Sequence, residues 1–189
     1  QMVFAGKAHP RDETGKHLIQ HIVQAGKDLA PDVLIAYLPN YDMTLGKLIT
    51  AGVDAWLNTP EPPMEASGTS GMKAAINGGL NFSVLDGWWC EGYSEETGWR
   101  IGSGEEDSDY EYQDSIESQA LYNVLETEVI PCFYDRKNGD LPGCWLEKMK
   151  ASMKMAMEMF CSIRMVTDYK NRYYLPAAKR YDSLLANQA

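Results

Sequence analysis

The chain has 189 residues, of which 44% are hydrophobic and 23% are charged, as is usual for a globular protein with its own core. Its formal charge is −10, with 17 basic and 27 acidic residues, which argues against a nucleic-acid partner because an acidic surface repels phosphate backbones. No apolar run is long enough to cross a bilayer and no signal peptide is recognisable, so we expect no membrane partner.

The first half of the chain alternates strand and helix patterns. The predicted strands cover residues 2–5, 33–38, 53–57 and 80–85, and the predicted helices between them cover 13–28, 43–51 and 70–77. Short apolar runs separated by helices are typical of buried parallel strands joined by right-handed crossovers. The sequence therefore predicts the α/β class, a Rossmann-like parallel sheet with flanking helices, which should bind ligands at the carboxyl ends of its strands.

The second half has a different pattern. Residues 86–104 are rich in Trp, Gly and acidic residues and predict an irregular loop, and an acidic run within 105–114 predicts a solvated loop and a first helical turn. Helices are predicted over 110–130, ended by Pro131, over 145–166, and in a last segment that ends near Leu185. We expect a core domain over 1–104 and a C-terminal helical extension over 105–189 that packs on it.

The chain contains four cysteines, Cys90, Cys132, Cys144 and Cys161. They form no CxxC pair and have no metal-ligand spacing with the histidines, so we expect free thiols in a reducing cytoplasm. His17 and His21 lie four residues apart on a predicted helix, but no third ligand is evident and no metal site is predicted. Because the chain opens at Gln1 with a strand already under way, we interpret it as a piece of a longer protein.

The clearest chemical signal is the segment NTPEPPMEASGTSGMK, which runs from Asn58 to Lys73. A stiff proline-rich stretch leads into Ser-Gly-Thr-Ser-Gly at 67–71 and then into a predicted helix. Glycines let backbone N–H groups approach a ligand closely, and at a helix N-terminus those donors and the helix dipole favour an anion. A phosphate group is the expected ligand, with the hydroxyls of Ser67, Thr69 and Ser70 as further donors.

Lys73 follows in the first turn of this predicted helix. The positive end of the helix dipole disfavours a protonated amine there, and imine formation with an aldehyde needs a neutral lysine. A phosphate site beside such a lysine suits the two ends of pyridoxal phosphate. The same residues also permit a simpler interpretation, in which Thr69 and Ser70 only cap the helix and Lys73 is a surface lysine.

The stretch EASGTSGMK at 65–73 resembles the lysine motif of the glycogen and maltodextrin phosphorylase family. The stretches AAINGGL (74–80) and VLDG (84–87) are similar to that family's segments downstream of the lysine, and GKAHP (6–10) and LPNY (38–41) are similar to segments upstream. These motifs occur in the family's order over residues 3–87. The rest matches more loosely and resembles the shorter bacterial and archaeal branch.

The resemblance implies an enzyme that uses inorganic phosphate and pyridoxal phosphate to convert α-1,4-glucan into glucose 1-phosphate. It implies a two-domain glycosyltransferase fold in which this chain forms most of the second domain. Lys73 would hold the cofactor, and Lys73 and Glu65 are the predicted catalytic residues. The other implied contacts are cofactor binding by Thr69, Ser70 and Tyr41, and glucosyl binding by Glu65, Ser67 and Gly68.

Two positions depart from the family's pattern, because Asp42 replaces the Arg of the animal enzymes and Gly71 replaces an Asn. The family's basic residues for substrate phosphate lie upstream of this chain. We therefore expect the isolated chain to be inactive and the missing N-terminal domain to be its partner, and homo-oligomer formation is left open.

Two other functions remain open from the residues. A nucleotide-sugar glucosyltransferase of the glycogen-synthase type shares the two-domain plan but needs no aldehyde-reactive lysine. A carbohydrate-binding module without catalysis would bind glucan and ignore pyridoxal phosphate. Lys73 within its glycine motif favours the phosphorylase. Trp88, Trp89 and Trp99 could stack on sugars or pack beneath the loop.

Overall fold

The structure, a computed structural model, describes residues 1–62, 65, 67–104, 110–136 and 139–186. The strands are β1 (Met2–Ala5), β2 (Ile35–Leu38), β3 (Ala55–Asn58), β4 (Leu80–Val84) and β5 (Gly98–Ile101). The α-helices are α1 (Glu13–Asp28), α2 (Met43–Gly52), α3 (Ser70–Ile76), α4 (Trp88–Gly92), α5 (Tyr110–Val124), α6 (Ile130–Tyr134), α7 (Gly143–Met159), α8 (Ser162–Tyr169) and α9 (Leu175–Ala186). Two π-helical segments, Leu125–Val129 and Lys170–Tyr174, join α5 to α6 and α8 to α9. The chain divides into two compact units, 1–49 and 50–189.

The first unit is a β-α-β arrangement. Strands β1 and β2 pair in parallel, from Met2 beside Ile35 to Ala5 beside Leu38. Helix α1 begins where the Asp12 carboxylate accepts a hydrogen bond of 2.8 Å from the backbone N–H of Gly15. Gly26 lets the helix approach β2 closely, since a Cβ there would lie 3.2 Å from the Ile35 carbonyl oxygen.

The second unit contains a parallel sheet in the order β3-β4-β5. All five residues of the central strand β4 are buried. Its Leu80, Phe82 and Val84 pack in a core cluster that also includes Trp99 of β5 and Trp145 of α7. Asn81 and Ser83 alternate with these residues, so they lie on the opposite face of the sheet.

The predicted α/β class with parallel strands is confirmed in each unit. The division into a core over 1–104 and an extension over 105–189 stays a prediction. The observed packing is that Val129 and Cys132 join the cluster around β4 and β5. No helix in the described ranges is both long and apolar enough to span a membrane. Residues 105–109 of the acidic run lie outside those ranges.

The predicted loop over 86–104 was wrong, because this region contains α4 and the edge strand β5. Strand β5 was not predicted, because it has only four residues and no apolar run. Its pairing is long-range, with Phe82 beside Trp99 and Val84 beside Ile101. The single helix predicted over 145–166 was also wrong, since α7 ends at Met159 and Cys161 caps α8 through its sulfur.

Pro131 does not end the helix as predicted. The chain passes through it because the preceding turn is π-helical, with the N–H of Ile130 bonded to the carbonyl of Leu125. Proline has no N–H and clashes with the carbonyl four residues earlier in a regular α-helix. The π-helical turn interrupts that regular pattern just before Pro131, which stands in the first turn of α6. The second π segment lies before Pro176 in the same way, with the N–H of Leu175 bonded to the carbonyl of Lys170.

The expectation of four free thiols was wrong for two of them. Cys132 of α6 and Cys144 of α7 form a disulfide, with their Cα atoms 5.3 Å apart, and Cys90 and Cys161 are free. The two residues are 12 positions apart in the sequence, and only the return of the chain from α6 to α7 brings them together. Sequence spacing alone could not reveal this pairing.

We expect alkylation without reductant to label Cys90 and Cys161, and labelling of all four cysteines after reduction. Closing a loop of this length removes entropy from the unfolded chain, so reduction should lower the free energy of unfolding by about 3 kcal/mol. Mass spectrometry of the alkylated peptides and thermal unfolding with and without reductant measure both effects. The disulfide is absent in solution if unreduced protein is labelled at Cys132 and Cys144.

Candidate functional site

The predicted site lies on the connection between β3, which ends at Asn58, and α3, which begins at Ser70. We call residues 67–71 of this connection the glycine loop. Gly68 is exposed and has a φ of +72°, a conformation that favours glycine. A Cβ at Gly68 would meet no atom of the described residues within 4 Å. Gly68 therefore presents its backbone to open space in the connection that follows β3.

Two buried or half-buried asparagines of the sheet hold the glycine loop. The Asn58 side-chain amide donates to the Ser67 carbonyl oxygen at 3.3 Å, and the Asn81 amide donates to the Gly71 carbonyl oxygen at 3.0 Å. Asn81 is 1% exposed. These bonds fix both ends of the loop against β3 and β4.

The Ser67 hydroxyl is buried and has no hydrogen-bond partner among the described residues. Its side chain lies over Gly87, where an added Cβ would be 2.7 Å from the Ser67 Cβ. Gly87 has a φ of +49° and precedes α4. A buried hydroxyl without a partner is unfavourable, so Ser67 is suited to bind a ligand atom.

Thr69 stands at the N-cap of α3, but its side chain makes no capping hydrogen bond. The simpler interpretation, in which this residue serves only as a helix cap, therefore lacks the bond that would support it. The Lys73 N–H donates to the Thr69 carbonyl at 3.4 Å, so the two residues lie one turn apart. The side chain of Lys73 is exposed and has no hydrogen bond or ion pair within the described ranges.

Glu65 is exposed at the start of the site, and its N–H donates to the Glu61 carbonyl at 2.8 Å in a turn. Both glutamates line a cleft of about 530 Å³ at the carboxyl ends of the strands. Three further carboxylates line the same cleft: Asp86, Asp114 and Glu117. Carboxylates accept hydrogen bonds from hydroxyl groups and repel anions, so the cleft suits a neutral polyhydroxy compound.

Tyr41 belongs to the first unit, where it follows β2. Its hydroxyl lies against Gly46 of α2, and a Cβ at Gly46 would be 2.6 Å away. The other predicted site residues belong to one continuous segment of the second unit: Glu65, Ser67, Gly68, Thr69, Ser70 and Lys73. The ligand contacts assigned to all seven residues stay predictions.

The sequence did not predict three residues that support the glycine loop: Asn58, Asn81 and Ser83. The signal was present in β4, because Asn81 and Ser83 are polar residues within a strand that was expected to be buried. Trp89 and Trp99 are 0% and 3% exposed, so they pack in the core. Sugar stacking is therefore the wrong interpretation for these two tryptophans.

Lys148 is a lysine of the second unit whose pKa is shifted. Burial lowers the pKa of Lys148, against the raising effects of Glu128, Glu95 and Glu96. The Lys148 ammonium lies 5.0 Å from the centre of the Trp99 ring, in a cation–π contact. Lys148 therefore helps to join α7 to β5 and does not take part in the glycine loop.

Comparison with known proteins shows the family to which the chain belongs. A family model described as carbohydrate phosphorylase matches residues 1–130, more than half of the chain. The chain belongs to the carbohydrate phosphorylase family. It is 47% identical over 174 residues to a glycogen phosphorylase of Aquifex aeolicus, covering 92% of this chain and 25% of that protein. It is 43% identical over 176 residues to a maltodextrin phosphorylase of Thermococcus litoralis, covering 93% of this chain and 21% of that protein.

This carbohydrate phosphorylase chain thus spans about a quarter or less of the length of these relatives. Their bacterial and archaeal origins agree with the branch that the sequence resembles. Among solved structures, a sucrose-phosphate synthase of Thermosynechococcus elongatus matches with a TM-score of 0.59 at 14% identity, covering 95% of this chain and 39% of that chain. This likeness shows that the two chains share a fold.

Proposed function

We propose that the protein containing this chain is an α-glucan phosphorylase, which converts α-1,4-glucan and inorganic phosphate into glucose 1-phosphate with pyridoxal phosphate. The observation that carries the proposal is the phosphorylase lysine motif on a loop with a buried Ser67 hydroxyl, which has no hydrogen-bond partner in the part of the chain that the structure describes. The fold alone supports it less, because a sucrose-phosphate synthase has a similar one.

The described residues fit the proposed cofactor. Lys73 supplies an exposed amine, and one turn away the Thr69 hydroxyl is not used for capping. The open space at Gly68 lets the backbone approach a ligand closely. In the proposal, Lys73 holds the cofactor through its aldehyde carbon, and Thr69 and Ser70 bind its phosphate group.

When bound, the cofactor would supply a phosphate group able to exchange a proton with the substrate phosphate. Thr69 and Ser70 would orient that phosphate group by donating hydrogen bonds, and Lys73 would hold the opposite end of the cofactor through its aldehyde carbon. Glu65 accepts hydrogen bonds from glucosyl hydroxyls, and Ser67 and Gly68 donate to them. The negative charge of Glu65 also stabilises the oxocarbenium-like anomeric centre. The proposed reaction retains the configuration of the anomeric carbon.

The partners follow from the same proposal. Glucan and inorganic phosphate are the substrates, and the remainder of the polypeptide supplies the basic residues that bind substrate phosphate. The 189-residue chain alone should therefore be inactive. We place the protein in the cytoplasm, which is a reducing compartment. Alkylation of freshly lysed cells would show whether the disulfide between Cys132 and Cys144 persists there.

The test is an assay of the full-length protein with glycogen and inorganic phosphate, before and after removal and restoration of pyridoxal phosphate. We expect glucose 1-phosphate to form, to be lost with the cofactor and to return with it. The matched assay uses ADP-glucose or UDP-glucose as the glucosyl donor. Transfer from a nucleotide sugar without phosphorolysis would overturn the proposal in favour of a glycogen-synthase type of enzyme, and glucan binding without either reaction would indicate a binding module.

A further inference from the structure

A row of polar side chains crosses one face of the sheet beneath the glycine loop. In the parallel register, Asn58 of β3 lies directly beside Ser83 of β4. The Asn58 amide donates to both the Ser67 carbonyl oxygen, at 3.3 Å, and the Ser83 hydroxyl, at 3.4 Å. Ser83 is 2% exposed and donates its own hydroxyl proton to the Val84 carbonyl at 2.8 Å. Both protons of the Asn58 amide group are thereby used, and its orientation is fixed by a buried neighbour.

The orientation of one peptide group follows from these bonds. In a planar trans peptide, the carbonyl and the N–H of the next residue point in opposite directions. Because Asn58 draws the Ser67 carbonyl toward the strands, the N–H of Gly68 points away from them. Gly68 is exposed, and an added Cβ would meet no atom of the described residues within 4 Å, so a ligand can approach this residue.

We propose that Asn58 is a positioning residue for the glucosyl site, which fixes the Ser67–Gly68 peptide group so that the Gly68 N–H donates to a sugar hydroxyl. This inference rests on the proposed function and adds a residue to it. Asn58 itself does not contact the sugar. Its contribution is to keep the peptide group in the binding orientation before the ligand arrives, which reduces the ordering that binding requires.

The test uses Asn58→Asp in the full-length protein, because aspartate keeps the size of the side chain and removes its N–H donors. A carboxylate beside the Ser67 carbonyl repels it and turns the peptide group. Calorimetric titration with D-glucose, a neutral probe of the sugar site, should show binding weakened about 10-fold, as expected for one lost hydrogen bond of about 1.4 kcal/mol. Bound pyridoxal phosphate, read from its absorbance, should match that of the wild type.

The matched control is Asn123→Asp, an exposed asparagine on α5. Ser83→Ala is a second variant, which releases one side of the Asn58 amide and should weaken glucose binding less. Glucose binding by Asn58→Asp equal to that of the control overturns the inference. The inference is also overturned if Asn58→Asp and Ser83→Ala both show a lower melting temperature together with weaker cofactor and glucose binding. Asn58 would then only support the fold. A wild-type protein that neither binds glucose nor forms glucose 1-phosphate removes the proposed function itself.

Discussion

Replacing Lys73 with alanine in the full-length protein is expected to remove covalent cofactor attachment and nearly all phosphorolysis. Without Lys73, the cofactor's phosphate group would no longer be held beside the substrate phosphate. Loss of such a positioned proton-exchange partner should lower the rate about 10²–10⁴-fold. The measurement is reduction of the cofactor-loaded protein with borohydride, digestion, and mass spectrometry of the modified peptide. Wild-type protein should carry a pyridoxyl adduct on Lys73, and Lys73→Ala should carry none.

Lys150→Ala is the control, because Lys150 is an exposed lysine on α7 that has no part in the proposed site. It should keep both the adduct and the activity. A well-folded wild-type protein without an adduct on Lys73 would remove the cofactor assignment. An adduct on another lysine would move the site away from the glycine loop.

A side chain at Gly71 is expected to destabilise the second unit strongly. A Cβ there would lie 2.5 Å from Asn81 Oδ1 and 2.8 Å from Trp88 Cζ2, and both neighbours are buried. Overpacking of this kind costs about 1–3 kcal/mol. Gly71→Asn introduces the residue that the resembled motif has at this position, and it should be at least as harmful as Gly71→Ala, since its larger side chain meets the same atoms.

Gly52→Ala provides the comparison, because Gly52 is exposed at the end of α2 and an added Cβ would meet no atom within 4 Å. It should leave the free energy of unfolding unchanged within about 0.5 kcal/mol or raise it slightly. Thermal unfolding of the three variants measures the difference. Equal melting temperatures for Gly71→Ala and Gly52→Ala would show that Trp88 and Asn81 move aside without cost.

Local signals made the first half of the chain predictable. Helix α1 has the bounds that its apolar period and the capping residue Asp12 predict. Strand β2 begins at Ile35 and not at residue 33, and the two residues excluded, Val33 and Leu34, are 38% and 59% exposed. Apolar character alone therefore overestimated this strand, because pairing with β1 sets its limits.

The candidate site was predictable where it is contiguous and unpredictable where it depends on pairing. The glycine loop and Lys73 form one linear motif, which a sequence displays directly. The support from Asn58 and Ser83 depends on the register of two strands 25 residues apart, which no local pattern specifies. The Cys132–Cys144 disulfide was not predicted for the same reason, because it depends on how helices α6 and α7 pack against each other.

The π segment before Pro131 also sets which side chains face the sheet. One residue added to an α-helix turns everything after it by about 100° relative to everything before it. Without that rotation, Val129 and Phe133 would lie well off the line that runs through Leu121 and Leu125. With it, all four contribute to the same apolar stripe, as their shared packing around β4 and β5 requires. The π-helical segment therefore corrects the rotation between the two stretches of helix that flank Pro131, so that the apolar residues of both stretches face the same core.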